Sequence, residues 1–330
     1  VLLFLLFMVQ TTELYSQSQV QDNNQDNELT IFVVPSIVPI DWSNPSALFI
    51  STAKCYLNAI WQENHYIIGH TIARISSPLL TKPYYVAMCG KVVTEKPELL
   101  FVKKLGFGAM GATIQGTIES ESKIKSGLAL YAKRNKVAYM RFKINDGAVR
   151  RLMKFVDGYQ TKSIAGYAPC DLYNGATWPR YEKEGSGCSA FGMALLDVAG
   201  ILPPESKDWE VSIKMPMDLI GGEYNKHKKI SVVTILLRKN WYEGQGVEGV
   251  DFITYKTYDP AFVFNWIMNA RTKLNADFQS DSENGIPGLL ADRRQVIIPE
   301  SEPVFIQRKD SDIFVRCYHD RIRSLVPKSE

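Results

Sequence analysis

Two residues of the chain, Cys188 and His70, have the chemistry and local setting of a thiol reaction centre. Cys188 lies in Gly185-Ser186-Gly187-Cys188-Ser189-Ala190-Phe191, directly ahead of an apolar segment with helical spacing. A thiol at a helix N-terminus sits in the positive end of the helix dipole, where unpaired backbone N–H groups favour thiolate. The same N–H groups suit the oxyanion that forms when a carbonyl is attacked. Such a cysteine needs a base, usually a histidine. Of four histidines, His65 and His319 stand in polar surroundings and His227 in a basic run, so all three are expected at the surface. His70 stands in Ile67-Ile68-Gly69-His70-Thr71-Ile72, where strand alternation puts it on one face with Ile68 and Ile72. A lone histidine among apolar residues also fits a core position.

Other chemistries fit less well. No His/Cys cluster has metal-ligand spacing, so neither a metal nor another cofactor is expected. Ser186 and Ser189 lack the G-x-S-x-G elbow of serine hydrolases. Gly106-Phe107-Gly108-Ala109-Met110-Gly111 matches G-x-G-x-x-G, but the strand-like Ala112 to Ile118 follows where a dinucleotide site needs a helix. These glycines therefore suggest a β-ribbon or loop. Cys170 shares the loop before Cys188, and a disulfide between them would abolish thiol chemistry. Tyr167, Tyr173, Trp178 and Tyr181 crowd that loop and suit either a substrate groove or core cover.

The elements that must hold these residues show in the periodicity. Ser43-Asn44-Pro45 starts a helix with Leu48, Phe49, Thr52, Cys55, Tyr56, Ala59 and Ile60 on its apolar stripe. Strands are expected at Ile31–Val34, Tyr66–Ile75, Tyr84–Met88 and Ala138–Phe142, with helices around Ile124–Tyr131, after Asn145, over Ser189–Val198 and after Asp259. Ile230 to Leu237 is apolar on both faces, like a central strand. Gln279 to Gly288 suggests a polar loop, and short strands are expected around Val296 and Phe314. The fold class is therefore α+β, a mostly antiparallel sheet flanked by helices.

Residues 1–18 have the apolar run and small residues of an export signal, and 19–29 form a polar linker. Residues 30–204 are expected to form the α+β core, and 205–330 a C-terminal extension of the same domain. This organisation predicts an exported chain, periplasmic or extracellular, with no membrane span after signal removal. Five cysteines leave at least one thiol unpaired. The net charge of +3 is too weak and scattered for nucleic acid, and Lys226-His227-Lys228-Lys229 fits a solvated turn.

The order of a Gly-His strand, a further strand and amphipathic helix, then a cysteine opening a helix resembles the circularly permuted papain-like proteins. These include NlpC-type peptidases, lecithin:retinol acyltransferase-like enzymes and Lnb-type periplasmic acyltransferases. Gly69-His70-Thr71-Ile72-Ala73-Arg74-Ile75 is similar to the "GH…RI" strand of the last group, and Arg141-Phe142-Lys143-Ile144-Asn145 with Gly187-Cys188-Ser189-Ala190-Phe191 to its strand, helix and cysteine helix. The resemblance spans about residues 45–202 at the level of pattern. Gly187-Cys188 stands where these families commonly have Asn-Cys, and the long His-to-Cys separation requires inserted elements. The resemblance implies an exported thiol hydrolase or acyltransferase acting on an amide or ester of a cell-envelope peptide or lipid. It also implies a third, orienting residue on the strand after the His strand, for which Gln115 and Thr113 are the candidates. A non-catalytic envelope or binding protein on the same scaffold is the alternative.

Overall fold

The computed structural model describes residues 26–61, 65–162, 166–273, 277–309 and 311–325. The apolar start and most of the polar linker lie outside them. Strands run over β1 Glu28–Val34, β2 His70–Ser76, β3 Tyr84–Val86, β4 Met88–Gly90, β5 Ile114–Ile118, β6 Ala138–Lys143, β7 Leu172–Tyr173, β8 Glu210–Pro216, β9 Phe252–Tyr258, β10 Gln279–Glu283 and β11 Ile286–Asp292. The helices are α1 Pro45–Trp61, α2 Glu95–Phe101, α3 Gly108–Gly111, α4 Glu121–Lys133, α5 Asp146–Gln160, α6 Cys188–Val198, α7 Val232–Leu237, α8 Pro260–Ala270 and α9 Ile313–Leu325.

A six-stranded sheet in the order β10-β11-β6-β1-β2-β3 forms the centre. Its pairings are antiparallel except β11 on β6, which is parallel. The chain is thus a mixed α/β fold built on a largely antiparallel sheet. Alternation along β1 makes the sheet two-sided: Leu29, Ile31 and Val33 face a core shared with α5, α6 and α8, while Phe32 and Val34 face one shared with α4. A further core joins α1, α7, β8, β9 and α9 through Leu48, Ile235, Met215, Ile253 and Phe314. Local chemistry sets the helix starts: Asn145 Oδ1 accepts from Ala148 N at 2.9 Å ahead of α5, and Asp259 Oδ1 from Ala261 N at 2.7 Å ahead of α8. Among the described residues no helix is long and apolar enough to cross a membrane.

Four expectations are corrected. Ile230–Leu237 is no central strand; Ser231 caps the short surface helix α7, whose Val233 and Leu237 point outward. The segment expected as a polar loop is the hairpin β10–β11. Its edge strand is polar because it faces solvent and because Glu283 is clasped by Arg74 and Arg141. Val296 lies outside any strand, and Phe314 belongs to α9, which buries Phe314, Val315, Tyr318 and Ile322 at helical spacing. The glycines from Gly106 to Gly111 form a turn and the short α3 rather than a ribbon, with β5 following as expected.

Candidate active site

His70 is the first residue of β2, and Ile68, expected beside it on the strand, lies in the preceding turn and is exposed. The turn needs Gly69, which adopts φ +89° and whose missing Cβ would sit 3.0 Å from Val34 O. Cys188 is the first residue of α6, after Gly187, which has extended backbone and no side chain to cap the helix. The first-turn N–H groups therefore receive no side-chain cap from that position. Helix α6 lies across β2 because Gly192 lets it: a Cβ there would stand 2.3 Å from Thr71 Cγ2. Thr71 on one face of β2 thus meets α6, while His70 at the strand's end reaches from the α4 side, and the two faces join at the sulfur.

The imidazole and the thiol each shift the other's titration. Burial pulls the pKa of His70 down, but the Cys188 thiolate and the Glu119 carboxylate outweigh it and hold His70 at about 9. Burial pushes the Cys188 thiol up, but the His70 charge and hydrogen bond, the Thr71 backbone N–H and the Ser189 hydroxyl together bring it below its ordinary value. The pair therefore favours thiolate and imidazolium. Cys188 is partly exposed as a residue, whereas His70 is only 4% exposed.

The residue behind His70 is Glu119. Its Oε2 lies 3.2 Å from His70 Nε2, which leaves Nδ1 for the thiol. Tyr66 Oη donates to the same Oε2 at 3.0 Å, and Lys123 Nζ stands 2.9 Å from Oε1. Burial alone would raise the Glu119 carboxyl; His70 and Lys123 overcome it and hold it near about 2. Tyr66 also stacks on the imidazole, with ring centroids 3.9 Å apart and planes 16° from parallel. The proposed orienting residues lie elsewhere. Gln115 is exposed with its N–H turned to Glu95, and Thr113 Oγ1 accepts from Asn174 Nδ2 at 3.0 Å. The carboxylate comes just past the end of β5, between Ile118 and the α4 cap Ser120, where Glu119 N bonds Ala87 O.

On the other side of the sulfur stands Tyr173. Burial first, then the neighbouring thiolate, keeps its hydroxyl protonated, and that hydroxyl touches both the Cys188 side chain and its backbone N–H. The Cys188 N–H thus meets the Tyr173 oxygen, and the Tyr173 O–H stands beside the sulfur.

Cys170, whose disulfide with Cys188 was the alternative to a free thiol, is a buried free thiol, and all five cysteines are free. Tyr167 is exposed, Tyr181 half-buried, and Trp178 packs on Tyr258. His227 is exposed as expected; His319 is instead half-buried, its Nε2 3.0 Å from the fully buried Glu184. No group of three metal-binding side chains occurs among the described residues. A groove of about 590 Å³ at the start of α5, lined by Asn145, Arg151 and Arg294, contains none of the Cys188 cluster. Compared with family models, curated proteins and solved structures, the chain matches none.

Proposed function

We propose that the chain is an exported thiol hydrolase or acyltransferase of the cell envelope, with Cys188 as nucleophile, His70 as acid and base, and Glu119 positioning His70. The observation that carries this is one buried imidazole bonded to a carboxylate on one side and paired electrostatically with the thiol that opens α6 on the other.

The reaction follows from that order. The Cys188 thiolate bonds to the carbonyl carbon of an amide or ester, and the Tyr173 O–H and the N-terminal end of α6 receive the oxyanion. The C–N or C–O bond breaks as the imidazolium gives its proton to the leaving amine or alcohol. Water or an acceptor amine then attacks the thioester and gives a proton to His70, and the thiolate leaves. The resemblance to permuted papain-like proteins favours a wall peptide or a lipid acyl group as donor. Export rests on the apolar start and the polar tract after it.

The test is to incubate the protein with peptidoglycan fragments and, separately, with diacyl lipids, and to weigh the Cys188 peptide. An acyl adduct that is absent from Cys188→Ser, with products that vanish in His70→Ala, is expected. Turnover that survives either substitution, or no turnover or adduct with any donor, returns the chain to the binding-protein reading.

A further inference from the structure

Helix α1 buries Leu48, Ser51 and Cys55, yet its opposite side is not polar. Ile50, Leu57, Ile60 and Trp61 are exposed there, Trp61 by 84%, with Lys54 the only charge in the stripe. Helix α7 packs beside α1, and Ser46 N on α1 bonds Arg238 O just after α7. It adds Val233 and Leu237, the latter 74% exposed. Phe101 and Val102, at the end of α2, join the same surface, because the Phe101 ring lies 6.3 Å from that of Phe49 on α1. Isolated exposed apolar residues are ordinary, but a contiguous set on three adjacent elements marks an interaction surface.

The rim of this face carries several lysines. Lys103 and Lys104 follow Phe101 and Val102 directly, and Lys104 O bonds Ile230 N, which brings in the exposed Lys226–Lys229 turn. Lys239 follows α7. Among the described residues the acids nearby include Asp41, Glu95, Glu98 beside Lys103, Asp218 bonded to Arg238, and Glu223, interspersed with the lysines of this rim. An apolar face containing an exposed tryptophan and rimmed by lysine matches an anionic bilayer surface, where the ring sits among headgroups and lysines meet lipid phosphates.

We infer that the α1–α7 face docks onto an anionic lipid surface. Helix α1 then lies in the interfacial plane, with Leu57 among the upper acyl chains, Trp61 at the level of the headgroups and the Lys226–Lys229 turn on the lipid phosphates. The inference stands apart from the chemistry of Cys188.

The test is co-sedimentation of the full chain with phosphatidylglycerol–phosphatidylcholine vesicles, compared with phosphatidylcholine alone and across salt. Binding that prefers anionic vesicles and weakens with salt is expected. Leu57→Glu/Trp61→Glu should weaken it by more than about 10-fold, and Lys228→Glu/Lys229→Glu by about 10-fold. Any sequence outside the face is identical in all variants and cannot produce these differences. Should the Glu pair fail to fold by circular dichroism, Leu57→Ala/Trp61→Ala gives the same reading. No binding to anionic vesicles, or binding that neither pair changes, overturns the inference. So does a concentration-dependent dimer that Leu57→Ala/Trp61→Ala dissolves without any vesicle partitioning, since a second copy then covers the face.

Discussion

Tyr66 and His70 form a single unit: the phenol ring lies flat on the imidazole, and its hydroxyl donates to the same Glu119 oxygen that His70 faces. Stacking fixes the plane of the base and the shared carboxylate fixes its rotation. A base so held presents one nitrogen to one sulfur.

Tyr66→Phe keeps the ring and loses the hydroxyl, which removes one hydrogen bond from Glu119, about 1 kcal/mol. The rate of Cys188 alkylation near neutral pH should fall only several-fold. Tyr66→Ala removes the stack as well and opens a cavity beside Tyr131, which packs on the other ring contact of Tyr66. It should slow alkylation further and lower the melting temperature, where Tyr66→Phe changes it little.

Cys188 should be the one thiol that reacts fast at neutral pH. Burial pushes Cys55 up, and burial with nearby carboxylates holds Cys89, Cys170 and Cys317 at about 11. Peptide mass spectrometry after brief alkylation of the folded protein should find label on Cys188 well ahead of all others, and without prior reductant. Equal labelling of Cys89 would mean that the thiolate is not localised.

Glu119 ties the site to acid stability. Its pKa is depressed in the fold, so its contribution is complete above the ordinary carboxylate value of 4.5 and is lost as pH falls toward about 2. His70 has the opposite sign: raised to about 9, it stabilises fully below its ordinary 6.5 and loses that contribution as pH rises through about 9. Urea unfolding of the wild type should lose roughly 2 kcal/mol of stability from this carboxylate across the acid window. Glu119→Gln should be less stable at neutral pH and flatter below it. A parallel acid loss in Glu119→Gln would assign the window to other groups.

Gly192→Ala tests the approach of α6 to β2. The added methyl would meet Thr71 Cγ2 at 2.3 Å, so the helix must shift. A cost of about 1–3 kcal/mol is expected for such overpacking, with slower Cys188 alkylation because the sulfur moves from His70. Thr71→Ser removes the opposing methyl and should restore part of both.

The local settings of Cys188 and His70, a helix start and a strand, were legible because each carries a local sign. A cysteine preceded by glycines and followed by an apolar run is a helix start, and a glycine–histidine strand is a strand wherever it folds. Glu119 had no such sign. Its role comes from contacts with His70 and Tyr66, both far from it in the chain, and a carboxylate between a strand and a serine cap looks like surface. Local context also misled at α7, where a short apolar run was judged by hydrophobicity although Ser231 bonds Thr234 N as a helix cap. At β10 the polar residues looked like a loop because their partners, Arg74 and Arg141, lie on strands distant in sequence. In α9 the spacing of Phe314, Tyr318 and Ile322 was helical and readable.

The most direct test of the account is the thiolate titration of Cys188, followed by ultraviolet absorbance as the difference between wild type and Cys188→Ser, with and without His70→Ala. The account predicts a thiolate that forms below the ordinary thiol value of 9 in the wild type and at clearly higher pH in His70→Ala. A wild-type midpoint at or above that ordinary value, or one that His70→Ala leaves in place, would contradict the pairing on which the proposed chemistry rests.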